Sequence, residues 1–292
     1  MKVSAAKSKR RSRGAVHSNE YRILRNFHIP LRPCRLMEKA SVPDNLRELL
    51  IGYGRLAVAF SGGCDSSYLL HAAIYSGIKV KAYTVRSAFQ TGSEIDRAKE
   101  FAESIGANLE VIDVDVLGIP AVRSNHEDRC YHCKRAVFES IIRCARCDGF
   151  DIIADGTNAT DDPNGRPGTR ALNELRVVSP LRICGIGKKE VRKLSREADL
   201  PSWDLPSDSC LATRIPAGIP ISEDILRNTG SAETELRSLG LKEIRVRYSK
   251  GGAVLETIAS QAELLDSIRP KVEEILLKYY PAVTYSLRTP HP

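Results

Sequence analysis

The sequence predicts an α/β protein: a doubly wound parallel sheet with a small α+β domain toward the C-terminal end. Three observations carry this expectation. Short β-branched runs alternate with helix-period segments up to about residue 200, as in a parallel sheet covered on both faces. One apolar run, Ala57-Val58-Ala59-Phe60, reaches a glycine pair and then opens a helix at Cys64-Asp65-Ser66-Ser67. Near Trp203 the alternation stops, and a Pro-rich stretch from Pro201 to Pro220 leads into an αββαβ order.

Taken in order, Arg55 to Phe60 reads as strand, Ser66 to Tyr75 as helix, Lys79 to Val85 as strand and Ser93 to Ile105 as helix. Leu109 to Val114 follows as strand, Tyr131 to Arg146 as helix, Asp151 to Ala154 as strand and Lys188 to Ala198 as helix. The polar stretch from Asp155 to Gly168 is expected to be a long loop, and long loops in compact domains are usually functional or disordered. Beyond the Pro-rich segment a helix is expected at Glu223 to Leu239, strands at Glu243 to Tyr248 and Ala253 to Thr257, one helix at Gln261 to Lys278, and a last strand near Val283. The division is therefore a tail at residues 1–36, a nucleotide domain at 37–205 and a C-terminal domain at 206–292. In open α/β sheets ligands bind at the carboxyl ends of the strands, so the βα loops are where function is sought.

The formal charge of +8 suggests a nucleic-acid binder until it is located. Residues 1–36 hold ten Lys or Arg and one acid, a net of +9, which leaves −1 for the rest. The folded body offers no electrostatic case for a large nucleic-acid footprint. The tail lacks an apolar h-region; a disordered basic arm, a transit peptide and translation from an upstream start codon all fit it, with Met37 the only other methionine. No apolar run approaches a membrane span. Eight cysteines without a secretory signal point to a reducing, cytoplasmic setting and to thiols used as ligands or nucleophiles. Oligomeric state is left open, a homo-oligomer included.

Ser61-Gly62-Gly63-Cys64-Asp65-Ser66 after an apolar run has the chemistry of a phosphate site. First-turn amides carry the positive end of the helix dipole, and glycines let polyphosphate oxygens reach the backbone. Asp65 offers a hard oxygen ligand suited to Mg2+. The Lys-Ser/Thr ending of the Walker loop is missing, so transfer of the terminal phosphoryl group is not the natural reading.

Cys130-Tyr131-His132-Cys133 opens a helix, and Cys210 lies in the Pro-rich connection. A C-x-x-C at a helix start holds a metal or cluster, forms a redox pair, or is incidental. Cys144 and Cys147 bring the count to that of a zinc ribbon, but a straight helix would keep the two pairs about 20 Å apart. Cys144 continues the Val137 and Ile141 stripe and is expected in the core.

The phosphate loop, Asp128-Arg129-Cys130-Tyr131-His132-Cys133-Lys134, Ala154-Asp155-Gly156-Thr157-Asn158-Ala159, Arg166-Pro167-Gly168, Ser179-Pro180-Leu181, Trp203-Asp204, Ser209-Cys210-Leu211-Ala212-Thr213-Arg214-Ile215-Pro216 and Arg245-Val246-Arg247 occur here in the order of one family. Over roughly residues 37–283 the chain resembles the LarE-type ATP-dependent sulfur transferases of the PP-loop ATP pyrophosphatase superfamily, which serve synthesis of a nickel-pincer nucleotide. The resemblance implies a fold of the adenine nucleotide alpha hydrolase kind. It also implies cleavage of ATP to AMP and pyrophosphate, adenylation of a carboxylate of a pyridinium-biscarboxylate mononucleotide, and replacement of AMP by sulfur from sulfide or another donor. It places ATP on Ala59, Ser61, Gly62, Gly63, Asp65, Ser66 and Gly156, with Mg2+ on Asp65. The small nucleotide substrate falls to Lys134, Arg166, Glu174, Arg214, Arg245 and Arg247, of which the last two are the clamp on its phosphate. Asp65 and Cys210 are the implied catalytic residues. Some members spend the sulfur of one cysteine; others hold a 4Fe-4S cluster on three, matched here by Cys130, Cys133 and Cys210, and the cluster type is the expectation. The chain departs from the pattern at Asn164-Gly165, at its C-terminal residues and at Cys64, where valine is commoner.

Spacing alone leaves Arg245 and Arg247 on one face of a strand, as readily solvated as functional. An iron-sulfur tRNA thiolase is the first rival function, an amide-forming PP-loop ligase the second, and a metal-binding module without enzymatic activity the third.

Overall fold

A computed structural model describes residues 42–162, 167–206 and 209–289. In chain order the elements are α1 (Asp44–Tyr53), β1 (Arg55–Ala59), α2 (Cys64–Tyr75), β2 (Lys79–Arg86), α3 (Gly92–Ser104), β3 (Leu109–Asp113), α4 (Pro120–Arg123), α5 (Arg129–Cys147) and β4 (Ile153–Ala154). They continue with α6 (Pro167–Glu174), α7 (Pro180–Ile183), α8 (Lys188–Glu197), α9 (Glu223–Ser238), β5 (Arg245–Ser249), β6 (Gly252–Ile258), α10 (Ala262–Ser267), α11 (Arg269–Leu277) and β7 (Val283–Arg288).

The first four strands form a parallel sheet in the order β3-β2-β1-β4. Strand order therefore reverses between β1 and β4, and a ligand crevice opens where two neighbouring loops diverge at such a point. Alternation along β1 explains the two covered faces. Leu56 and Val58 face a core built with Leu46, Leu69, Phe101 and Val191, whereas Ala57 faces Tyr83, Phe138, Ile141 and Ile153. Helix α2 is buried on nearly every side, which explains why its residues lack a polar stripe. Helix α3 starts with a capping box, in which Thr91 N donates to Glu94 Oε2 (2.6 Å) and Glu94 N donates to Thr91 Oγ1 (3.3 Å).

The C-terminal sheet runs β5-β6-β7, with β6 antiparallel to β5 and parallel to β7. Leu236, Val246, Leu255, Val272 and Leu276 fill the core beneath it. A further cluster of Phe89, Val116, Val122, Leu211, Ile215, Ile221 and Leu226 joins the connection to both sheets. Asn125, at φ 57°, sits at the centre of that joint. Its Nδ2 donates to the carbonyls of Pro216 (2.8 Å) and Ile219 (2.9 Å), and its own carbonyl accepts from Gly218 N (2.9 Å).

Two expectations need correction. The single helix expected over Gln261 to Lys278 is broken at Ile268, because Pro270 in the first turn of α11 has no N–H to continue α10. The expected loop from Asp155 to Gly168 already contains the start of α6 at Pro167. The expectations for residues 1–36, for Arg166 and for Asn164-Gly165 lie outside the described residues. Among the described residues no helix is long and apolar enough to cross a membrane.

Candidate active site

The crevice at the reversal of strand order is built from the loops that follow β1 and β4. After β1, Gly62 turns at φ 73° with α3 so near that a Cβ would stand 3.1 Å from the Ala98 side chain. Glycine is demanded there by both the left-handed backbone and the lack of room. Gly63 caps α2. Ser66 Oγ donates to Gly63 O (3.1 Å) and accepts from Ser61 N (3.3 Å), so one hydroxyl closes the loop on itself. The first-turn amides of α2 have no preceding carbonyls to bond within the helix, which equips the loop for an anion.

From the β4 side, Gly156 lies against that turn: a Cβ on it would stand 2.8 Å from Ser66 N and 3.0 Å from Ser66 Cα. Buried Asp155 holds this second loop, accepting from Thr157 Oγ1 (2.5 Å), Thr157 N (3.2 Å) and Ser179 Oγ (2.7 Å). Asp65 points into the same nest. Its Oδ2 accepts from Lys188 Nζ at 2.6 Å, while its Oδ1 is buried and has no hydrogen-bond partner among the described residues. Burial pushes the Asp65 carboxyl above the usual range, Lys188 and Arg192 oppose that shift, and the nearby Asp161 adds to it. An orphaned, buried carboxylate oxygen beside open backbone amides fits a divalent cation carried by a polyphosphate.

The cysteines gather at the same sheet edge. Cys130 and Cys133 lie in the first turn of α5, and Cys210 precedes a 3-10 turn, Leu211–Arg214, anchored by Leu211 N to Phe89 O (3.2 Å) beyond the end of β2. Arg129, itself buried, binds the two segments. Its guanidinium donates to Asn125 Oδ1 (2.6 Å), Ala212 O (2.9 Å) and Cys130 Sγ (3.4 Å). Burial, together with the neighbouring thiols, pushes Cys133 up to about 12. Cys210 presents exposed surface, yet crowding around its thiol also raises it, against the pull of Arg129 and of the Ala212 and Thr213 amides. Among the described residues no three His, Cys, Asp or Glu side chains converge on a single ion. Three thiols near enough to feel one another's charge fit a group larger than a single ion, such as an iron-sulfur cluster with its cationic core, and the buried Arg129 offsets the charge of the thiolates.

The remaining sequence candidates fall into two groups. Lys134 is exposed, its stem resting on Gly168, where a Cβ would meet Lys134 Cδ at 2.8 Å. Glu174 ends α6, accepting from Tyr131 OH (2.6 Å) and pairing with Arg170 (3.4 Å). On the C-terminal sheet Arg245 and Arg247 share a face, as spacing requires, but that face is not a solvated one at Arg245, which is 7% exposed. Arg288, Arg214 and Arg247 hold its guanidinium below the usual range together with burial, the largest influence. Arg247 pairs with Glu256 (2.7 Å) and donates to Thr213 O (2.8 Å). Arg214, a further arginine matched to a substrate contact, is deeply buried. At 1% exposed it pairs with Glu233 through Nε (2.7 Å) and Nη2 (3.1 Å) and donates to Ser209 Oγ (2.7 Å). These contacts tie the Cys210 segment to α9. Cys144 packs against the core behind α5, Cys147 is exposed, and Cys64 is buried against Ser195.

Sequence reading missed Lys188, Arg129 and Arg288. Arg288 donates through Nη2 to Glu243 (2.6 Å) while its Nε and Nη1 are buried without a partner among the described residues. No local motif marks Lys188 or Arg288, which only the topology brings to their sites; Arg129 stands within the Asp128-to-Lys134 motif but carries no assigned role there.

A parallel sheet whose switch point holds a Ser-Gly-Gly loop, a first-turn aspartate and a glycine from the next loop defines an ATP pyrophosphatase of the PP-loop class. Residues 55–128 match the family described as queuosine biosynthesis protein QueC. An uncharacterized protein of Synechocystis sp., slr1717, is 34% identical over 221 residues, 75% of this chain and 82% of that protein. The pyridinium-3,5-bisthiocarboxylic acid mononucleotide synthase of Lactiplantibacillus plantarum is 31% identical over 221 residues, covering 75% and 79%. An uncharacterized protein of Methanocaldococcus jannaschii, MJ0830, is 30% identical over 245 residues, covering 84% and 92%. The chain belongs to the PP-loop family that includes the Lactiplantibacillus synthase.

Proposed function

We propose that the protein is an ATP-dependent sulfur transferase that converts a carboxylate of a pyridinium-biscarboxylate mononucleotide into a thiocarboxylate, for synthesis of a nickel-pincer nucleotide. The observation that carries this reading is the Arg129 bridge between the Cys130 and Cys210 segments, on the sheet edge that also carries the phosphate loop. A PP-loop enzyme needs no thiols to cleave ATP, so three of them at that edge call for sulfur chemistry.

A carboxylate resists nucleophiles until it carries a leaving group. Its oxygen attacks the α-phosphorus of ATP, the bond to the bridging oxygen breaks, and pyrophosphate leaves with the electron pair. The acyl-AMP carbonyl then takes sulfur, and AMP departs. The first-turn amides of α2, with Ser61, Gly62, Gly63 and Ser66, cradle the polyphosphate, Ala59 and Gly156 bound the nucleotide, and Asp65 would hold Mg2+. Cys130, Cys133 and Cys210 would hold a 4Fe-4S cluster, which when bound supplies an iron without a protein ligand to carry the transferable sulfur. Arg245 and Arg247 grip the acceptor's phosphate, and Lys134, Glu174 and Arg214 serve the same substrate; forked guanidinium donors suit that anion. Residues 37–205 then form the ATP-binding part and 206–292 the acceptor-binding part.

Anaerobic protein incubated with ATP, Mg2+, sulfide and the biscarboxylate mononucleotide should yield AMP, pyrophosphate and a thiocarboxylate heavier by the exchange of one oxygen for sulfur, read by mass spectrometry. Asp65→Asn should abolish all three products. AMP formation that requires tRNA, with sulfur appearing in the RNA, would replace this reading by the thiolase one.

A further inference from the structure

We propose that Arg288 is a binding residue of the acceptor site, which joins Arg245 and Arg247 as a third arm on the phosphate monoester of the nucleotide acceptor. The inference rests on the acceptor reading above. It adds a residue that the family pattern does not supply, since Arg288 lies in the C-terminal residues where the chain departs from that pattern.

Sheet register brings the arginines to one face. Arg245 on β5 stands opposite Glu256 on β6, Glu256 stands opposite Ser286 on β7, and Ile258, two residues further along β6, stands opposite Arg288. Paired residues project to the same side of a sheet, so Arg245, Arg247, Glu256 and Arg288 share a face. That face meets the Cys210 connection where Arg247 Nη1 donates to Thr213 O (2.8 Å). The three arginines are not equally engaged. Arg247 is committed twice, to Glu256 (2.7 Å) and to that carbonyl. Arg288 gives Nη2 to Glu243 (2.6 Å), while its Nε and Nη1, which carry three of the five guanidinium donors, are buried without a partner among the described residues. Among the described residues no carboxylate pairs with Arg245. Burial depresses its guanidinium, Arg288, Arg214 and Arg247 add to that, and Glu256 opposes them.

Desolvated cations with unused donors cost stability on their own and bind strongly once an anion meets them. An anion that satisfies two guanidiniums needs more than one charge and several acceptor oxygens. A phosphate monoester has both, with a charge of about −1.5 to −2 at pH 7 and three terminal oxygens. A phosphodiester within a nucleic-acid strand has one charge and fewer free oxygens, so the face is matched to a free mononucleotide. Arg247, at 35% exposed, borders the opening, and Arg288, at 13%, lies deeper. The phosphate therefore seats between Arg245 and Arg288, with Arg247 at its rim.

The test is calorimetric titration of the full-length protein, its phosphate loop filled with uncleavable α,β-methylene-ATP and Mg2+. The probes are the biscarboxylate mononucleotide, the same compound without its phosphate, and inorganic phosphate. In R288Q, affinity for the mononucleotide and for inorganic phosphate should fall at least about tenfold, while affinity for the phosphate-free compound stays at the wild-type value. R288K, which keeps the charge but not the fork, should fall between the two. E243Q removes the ion partner of Arg288 and leaves its donors, so it should bind the mononucleotide within roughly threefold of wild type. Retained binding of α,β-methylene-ATP reports that each variant is folded. Unchanged mononucleotide affinity in R288Q, equal loss of the mononucleotide and its phosphate-free form, or a loss in E243Q that equals that in R288Q would overturn the proposal and leave Arg288 a structural partner of Glu243. Should the wild-type protein ignore the mononucleotide yet bind inorganic phosphate in a way that R288Q abolishes, the anion site stands and the reading of the acceptor falls.

Discussion

Arg214 sits in surroundings that its motif does not announce. Its guanidinium and the Glu233 carboxylate are both 1% exposed, and Glu233 also accepts from Val246 N at 2.9 Å. Removing Arg214 leaves the buried Glu233 carboxylate with only Val246 N and the more distant Arg237 (3.4 Å) against it, a loss approaching about 3–5 kcal/mol. Arg214→Met should therefore lower the urea midpoint strongly, while Arg214→Met combined with Glu233→Leu should recover part of the loss. An unchanged midpoint in the single variant would show that the pair carries no such weight. Asp65 and the glycines were legible because their chemistry is local: a turn, a cap and a carboxylate within six residues. Arg245 was legible as half of a same-face pair, but its burial was not, since spacing says nothing about what covers a face. Lys188 was invisible because its partner lies 123 residues earlier in the chain, on the helix α2 that packs beside α8, and sequence spacing does not encode that approach.

At the scale of elements, the strands and most of the long helices followed from periodicity to within a few residues, since each buries one face or both against a neighbour; the exceptions are the break at Ile268 and the helix α1. The four-residue helices α4 and α7 did not, being too short to show a period and each led by a proline. The approach of the β4 loop to α2 is the element-level contact on which the site depends most. Gly156→Ala places a methyl group 2.8 Å from Ser66 N, a backbone atom that cannot step aside. The two loops must part, so ATP affinity should drop by about tenfold or more while the C-terminal sheet is untouched, as nucleotide titration and amide exchange would register. Gly63→Ala, whose Cβ would meet only Ser61 Oγ at 3.4 Å, should leave the two loops together, so a loss of ATP affinity there would come from the polyphosphate's own approach to the backbone.

For the whole molecule, two expectations separate the parts of the argument. The anaerobically purified protein should be brown and contain about four irons per chain if the cluster assignment in the proposed function holds. Cys130→Ala, Cys133→Ala or Cys210→Ala should each bleach it, and Cys144→Ala and Cys147→Ala should not. Tightly bound zinc without iron would sink the assignment. Stability should also depend on pH through His71, whose burial without a partner at Nε2 holds it below its ordinary value of 6.5. The unfolded chain takes up a proton there as pH falls past about 6.5 and the folded protein resists it, so stability present above that pH is lost toward the lower folded value. The urea midpoint should fall between pH 7.5 and pH 5.5, and His71→Phe should flatten that slope.

Asn125 carries a mechanical consequence. Its amide grips two carbonyls of the connection between the sheets while its main chain holds a third point, Gly218, and Ile221 N is bonded to Arg123 O at 2.8 Å. Tension applied along the chain would meet a rivet at this place instead of a tether, loaded in shear across several bonds at once. The connection would not reel out ahead of the sheets it joins, and Cys210 would stay in step with Cys130 under thermal buffeting. If the proposed sulfur transfer holds, its three thiols would keep a gauge set by this rivet from one turnover to the next.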